Sequence, residues 1–183
     1  MKTVDAIAEI LKREGVEYLS CFPTTPVIES AAAAGIRPII CRQERVGVGI
    51  ADGFSRVTNG DRMGVFAMQY GPGSENAYAG VATAYSDSTP LLLLPTGHPR
   101  ARQGILPHFS SISNFAGVTK YLEQINSADR TSQIMRRAFG GLYQGRSGPV
   151  LVEIPADIAL EPVSEESFYW SGQVKRTVSQ GDP

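Results

Sequence analysis

The chain has 183 residues, 42% hydrophobic and 19% charged, enough for one domain with a buried core. A formal net charge of -1 leaves no basic excess to neutralise phosphates, which argues against a nucleic-acid surface. The longest apolar run, "PLLLLP", is too short to cross a bilayer and no signal peptide precedes the domain, so a cytoplasmic protein with no membrane partner is expected.

Val4, Ile7, Ala8 and Leu11 recur at helical spacing in a first helix that closes at Gly15. "EYLSCF" follows as a short buried strand broken by Pro23, and "PVIESAAAAG" as a helix with Pro26 in its first turn and Gly35 past its end. "RPIICR" is the second strand. A helix then runs from Glu44 to "TNG", followed by the strand "MGVFAMQ". "GPGSENAYAGVATAYSD" is a glycine turn feeding a helix, and "PLLLLPT" is the fourth strand. Residues 97–117 read as a long irregular loop holding His98 and His108, a length that is usually functional or mobile. "VTKYLEQI" is a fifth strand, residues 128–144 an amphipathic helix, and "GPVLVEIP" a sixth strand. Strands and helices alternate, and the strands are continuously apolar. That predicts an α/β fold with a parallel sheet covered on both faces. From about residue 161 the chain turns polar, interrupted by Trp170, and ends "QGDP".

Cys21 and Cys41 lie in apolar runs without metal-ligand spacing and read as reduced core thiols; no metal site is predicted. Three glycines, Gly47, Gly49 and Gly53, interrupt the helix that begins at Glu44, each costing about 1 kcal/mol relative to alanine. They imply a close neighbour, which is either the domain's own sheet or the twin helix of a second protomer. Val46, Ile50, Phe54 and Val57 form an apolar stripe on the same helix. Glu44 sits in the first turn, where the helix dipole favours a carboxylate and where Arg42 and Arg45 flank it. "GPGSEN" places backbone N–H groups at a helix start. It is not a dinucleotide fingerprint, because Asn76 stands where a third glycine is needed and the turn follows the third strand instead of the first. His108 in "LPHFSS" is a candidate catalytic group, or else a solvated loop side chain.

Taken together, these stretches resemble the N-terminal, pyrimidine-binding domain of thiamine diphosphate enzymes, in the acetolactate synthase and pyruvate oxidase branch. The likeness is carried by "GVEYLSCFP", "GIRPIICRQERVGVGIADGFSRVTNG", "GPGSEN", "AYSDSTPLLLLPTG" and "GRSGPVLVEIPADI", in that order, from about residue 3 to residue 157. It implies a three-layer α/β/α fold with a six-stranded parallel sheet, over residues 1–160, with 161–183 as a linker toward an absent middle domain. The resemblance also implies a catalytic role for Glu44: it shares a proton with N1′ of the cofactor's aminopyrimidine, favouring the tautomer whose 4′-nitrogen can take the C2 proton of the thiazolium. Pro23, Thr24, Glu44, Gly71, Pro72, Gly73 and Asn76 are, by the same resemblance, the cofactor-binding residues.

The family's diphosphate and magnesium segment, "G-D-G" followed by "N-N", does not occur in this chain. The resemblance therefore implies thiamine diphosphate held across two protomers, with Mg2+ bound through the absent diphosphate domain. It also implies a 2-oxo acid substrate, decarboxylated or joined to a second carbonyl compound. Thr24-Thr25, Gln43 and Gln69-Tyr70 depart from the family's usual glycines, histidine and threonine-serine, and "LPHFSS" replaces its "F-Q-E". The cofactor end is retained and the substrate end differs. Two other readings stay open: the pyrimidine-side subunit of a two-chain decarboxylase of the sulfopyruvate or phosphonopyruvate type, and a non-catalytic ligand-binding domain.

Overall fold

The computed structural model describes residues 1–175; the "QGDP" ending lies outside them. Six strands form one sheet: β1 (Tyr18–Cys21), β2 (Arg37–Ile40), β3 (Gly64–Met68), β4 (Leu91–Gly97), β5 (Tyr121–Gln124) and β6 (Pro149–Pro155). Their order is β2-β1-β3-β4-β6-β5, and every pairing is parallel. The six main helices are α1 (Thr3–Arg13), α2 (Val27–Ala33), α3 (Glu44–Val57), α4 (Pro72–Ser86), α5 (Ser111–Phe115) and α6 (Thr131–Tyr143).

Alternate strand residues serve opposite faces. Val65, Ala67, Leu92 and Leu94 pack with Ile7 and Leu11 of α1, Ala31 of α2 and Ala138 of α6. Phe66, Met68, Leu91 and Leu93 pack with Val48 and Ala51 of α3, Val81 of α4 and Phe115 of α5. Both faces are dry, which is why the central strands carry no polar alternation. This is the expected three-layer α/β/α architecture. Cys21 and Cys41 are free and buried on opposite faces. Burial pushes the Cys21 thiol up to about 11, so it stays an inert core thiol.

One feature departs from the sequence reading, and one adds to it. Residues 97–117 are not wholly irregular: Ser110 caps α5 by accepting the Ser113 N–H at 3.2 Å, and Phe115 anchors α5 in the core. Five residues are too few to display helical periodicity in a sequence. The polar segment after residue 160 is held against the domain as far as residue 175. Val163 N–H donates to the Met1 carbonyl at 2.9 Å, and Trp170 is buried edge-on against Phe139 at 5.8 Å. Glu14 accepts from the Trp170 indole and from the Val174 backbone, each at 3.0 Å. Burial still pushes the Glu14 carboxyl above its ordinary value. Trp170 thus packs back on the domain.

Candidate functional site

In a parallel sheet all strands end on one edge, and ligands bind there where adjacent strands send their connections to opposite faces. β1 leads to α2 on one face, and its neighbour β3 leads to α4 on the other. The two strand ends are tied by the Phe22 N–H, which donates to the Ala67 carbonyl at 3.0 Å. The predicted residues gather around this crevice. Pro23 and Thr24 follow β1, Glu44 follows β2, and Gly71, Pro72, Gly73 and Asn76 follow β3.

Glu44 is the first residue of α3, yet its side chain is only 5% exposed. Neither Arg42 nor Arg45 pairs with it among the described residues; both are exposed. Its partner comes from α4 instead: Asn76 Nδ2 donates to Glu44 Oε2 at 3.1 Å. The other oxygen rests on Gly73, where an added Cβ would lie 2.6 Å from Glu44 Oε1 and 2.8 Å from Gln69 Cβ. Only glycine leaves room for the carboxylate here. Gly71 turns the chain with φ 58, a left-handed conformation that favours glycine. Pro72 then opens α4 at a position whose N–H would have no helical partner. Pro23 and Thr24 are exposed on the same edge and do not hydrogen-bond to the Glu44 carboxyl. Asn76, Gly73 and Glu44 are therefore in contact, while Pro23 and Thr24 share only the crevice.

The face that α3 turns to the sheet is built of small residues. An added Cβ at Gly47 would meet the Phe66 ring and lie 2.7 Å from Cys41 Sγ. Ser20 Oγ donates to the Gly47 carbonyl at 2.8 Å, fixing the first turns of the helix over β1. The apolar stripe points the other way: Val46 and Val57 are 51% and 84% exposed, and Ile50 is 38% exposed. Nothing lies within 4 Å of a Cβ built on Gly49 or Gly53. Gly47 is thus explained by the domain's own sheet, and Gly49 and Gly53 are not.

A second polar group, Glu153, was not singled out from the sequence. It is 6% exposed at the end of β6, hydrogen-bonded by Gln124 and Ser111. The signal was present as one acidic residue inside the continuously apolar "VLVEIP". Burial pushes its carboxyl above the ordinary 4.5, outweighing the hydrogen bonds. The folded chain therefore holds this proton more tightly than the unfolded chain. Its contribution to stability is fully present below pH 4.5 and is lost as pH rises through the elevated value. Glu153→Gln should remove that slope: in urea titrations, the variant gains on the wild type as pH rises from 4 to 8.

A family described as "Thiamine pyrophosphate enzyme, N-terminal TPP binding domain" matches residues 1–131. A probable acetolactate synthase large subunit from Methanocaldococcus jannaschii is 31% identical over 173 residues, 92% of this chain and 29% of its own length. The acetolactate synthase isozyme 3 large subunit of Escherichia coli is 30% identical over 176 residues, 93% of this chain and 30% of its own. The chloroplastic acetolactate synthase of Arabidopsis thaliana is 31% identical over 184 residues, 96% of this chain and 27% of its own. The chain thus spans under a third of the length of these relatives. No described helix is long and apolar enough to cross a membrane.

Proposed function

The chain belongs to the thiamine pyrophosphate enzyme N-terminal domain family, and from that premise we propose that it is the pyrimidine-binding part of a larger thiamine diphosphate-dependent enzyme acting on 2-oxo acids by decarboxylation or carboligation. Residues 1–160 form the binding domain, and 161–183 lead toward a middle domain outside this chain. The observation that carries the reading is the buried Glu44 carboxyl, held on one oxygen by Asn76 and bare on the other against Gly73.

The residues fit the cofactor's aminopyrimidine. The absence of a Cβ at Gly73 lets Glu44 Oε1 lie against the start of α4, and no protein donor among the described residues engages that oxygen. Glu44 would share a proton with the ring nitrogen, and Asn76 orients the carboxylate by occupying Oε2. Pro23, Thr24 and the Gly71-Pro72-Gly73 turn bound the crevice. Bound there, thiamine diphosphate supplies the nucleophilic carbon that the protein side chains lack. A carboxyl removed from water shares a proton far more effectively than one in bulk solvent. The diphosphate and Mg2+ are assigned to a domain outside this chain.

Completion of the site by a second protomer is supported by the outward stripe of α3. In the isolated chain, Gly49→Ala and Gly53→Ala should each stabilise by about 0.5–1 kcal/mol, because alanine is the better helix former. In the full-length protein the same changes should weaken self-association if a second helix rests on the glycine face. Sedimentation equilibrium decides this, and unchanged association would remove α3 from the interface. The reading as a whole is tested by calorimetry of full-length protein with thiamine diphosphate and Mg2+. Saturable binding that Asn76→Ala weakens is expected; absence of binding would reject the proposal and favour a non-catalytic domain.

A further inference from the structure

A cavity of about 430 Å3 lies farther along the same sheet edge. Here the sheet reverses a second time. β4 leads to α5 on one face, β5 leads to α6 on the other, and β6 lies between the two strands. Such a reversal is where an open α/β sheet offers a crevice, and the volume is in the range that encloses an organic ligand. The cavity is bounded by His98 after β4, His108 and Phe109 from the loop, Gln124 of β5 and Glu153 of β6, with Arg102 at its rim.

Two features define what it would hold. The first is a cluster of tilted rings. Tyr70, just before the Gly71 turn, lies 4.7 Å from His98, and His98 lies 4.2 Å from His108. The cluster runs from Tyr70, before the Gly71 turn, to His98 and His108 in the cavity wall. Burial, then His108 and Arg102, push His98 below its ordinary value, which favours a neutral ring. The second feature is an unpaired guanidinium. Arg100 is tied to Asp157 and Glu161, whereas Arg102 makes no ion pair among the described residues. Glu153 forms no ion pair with it among the described residues; its carboxyl is engaged by Gln124 and Ser111. An aromatic wall beside a guanidinium without an ion pair is complementary to a flat anion.

We propose that this cavity receives the substrate, and that the substrate is an aromatic 2-oxo acid whose ring packs against the Tyr70–His98–His108 cluster and whose carboxylate pairs with Arg102. This rests on the reading of the Glu44 crevice as the cofactor site. Pyruvate has no ring to pack against this cluster and would leave most of the cavity unfilled, so His108 and Arg102 select for the larger acid.

The test is calorimetric titration of the full-length protein with phenylpyruvate and with pyruvate, without thiamine diphosphate or magnesium so that neither is consumed. Phenylpyruvate is expected to bind about tenfold more tightly, the size of one good aromatic contact. His108→Ala and Arg102→Ala should each remove about tenfold of that affinity, and His108→Phe should retain it. Equal affinity for the two acids, or affinity unchanged in both alanine variants, overturns the proposal. Arg102 is exposed, so its variant keeps the test decisive should His108→Ala fail to fold. Thiamine diphosphate with magnesium, titrated into separate samples, reports on the cofactor reading alone. Selective phenylpyruvate binding supports the cavity whichever way that titration falls.

Discussion

If Glu44 shares the cofactor's proton as proposed, Glu44→Gln in the full-length protein should slow C2–H exchange of bound thiamine diphosphate by about 10²–10⁴-fold, the range that a positioned acid–base group contributes. The change is nearly isosteric. Its amide still fits beneath Asn76 and beside Gly73, and the packing of α3 on the sheet does not involve the carboxyl. What an amide cannot do is share its proton with a ring nitrogen. Cofactor affinity should therefore fall much less than exchange, and thermal stability should stay close to that of the wild type. Deuterium exchange at C2, followed by proton NMR after acid quench, measures the effect. An exchange rate equal to that of the wild type would remove Glu44 from the chemistry. A stability loss as large as the exchange loss would mean that the carboxyl is structural.

The parts of this molecule that could be read in advance are those where one physical rule acts locally. The central strands were visible because burial on both faces demands runs such as "PLLLLP", and the glycine turn before α4 was visible because Gly71 and Pro72 do what few other residues can. The contact between Glu44 and Asn76 spans 32 positions and leaves no periodic trace. The resemblance named the two residues separately as cofactor-binding, and their contact comes from the structure alone. The stripe Val46, Ile50 and Val57 was visible as apolar, but apolarity does not reveal which way a helix faces. The small residues decide that: Gly47, Ala51 and Ser55 allow α3 to approach the sheet closely, so the larger side chains turn outward. Glu153 escaped notice because a strand residue was read by its neighbours' hydrophobicity and not by its own unmet need for partners.

Gly64→Ala is the substitution expected to cost most in stability, about 3 kcal/mol or more, beyond the usual range for one added methyl in a core. Gly64 opens β3 directly beneath α3. A Cβ there would collide with the Ala51 carbonyl oxygen and lie 2.5 Å from its carbon and 2.8 Å from Ala51 Cα. The obstacle is backbone, so no rotamer change relieves it. The helix cannot simply lift, because Ser55 Oγ accepts the Gly64 N–H at 2.7 Å and donates to the Pro90 carbonyl at 2.6 Å, joining α3 to β3 and to the residue just before β4. Gly47→Ala meets the Phe66 ring and Cys41 Sγ, side-chain atoms that can shift, and should cost less, about 1–3 kcal/mol. Urea denaturation of the two variants measures the difference. Displacing α3 also displaces Glu44 at its start, so Gly64→Ala at temperatures where it remains folded should weaken thiamine diphosphate binding although residue 64 lies at the opposite end of β3 from the crevice. Equal stability of the two variants would mean that the helix tolerates retreat from the sheet, and that the position of Glu44 is not set by this close approach.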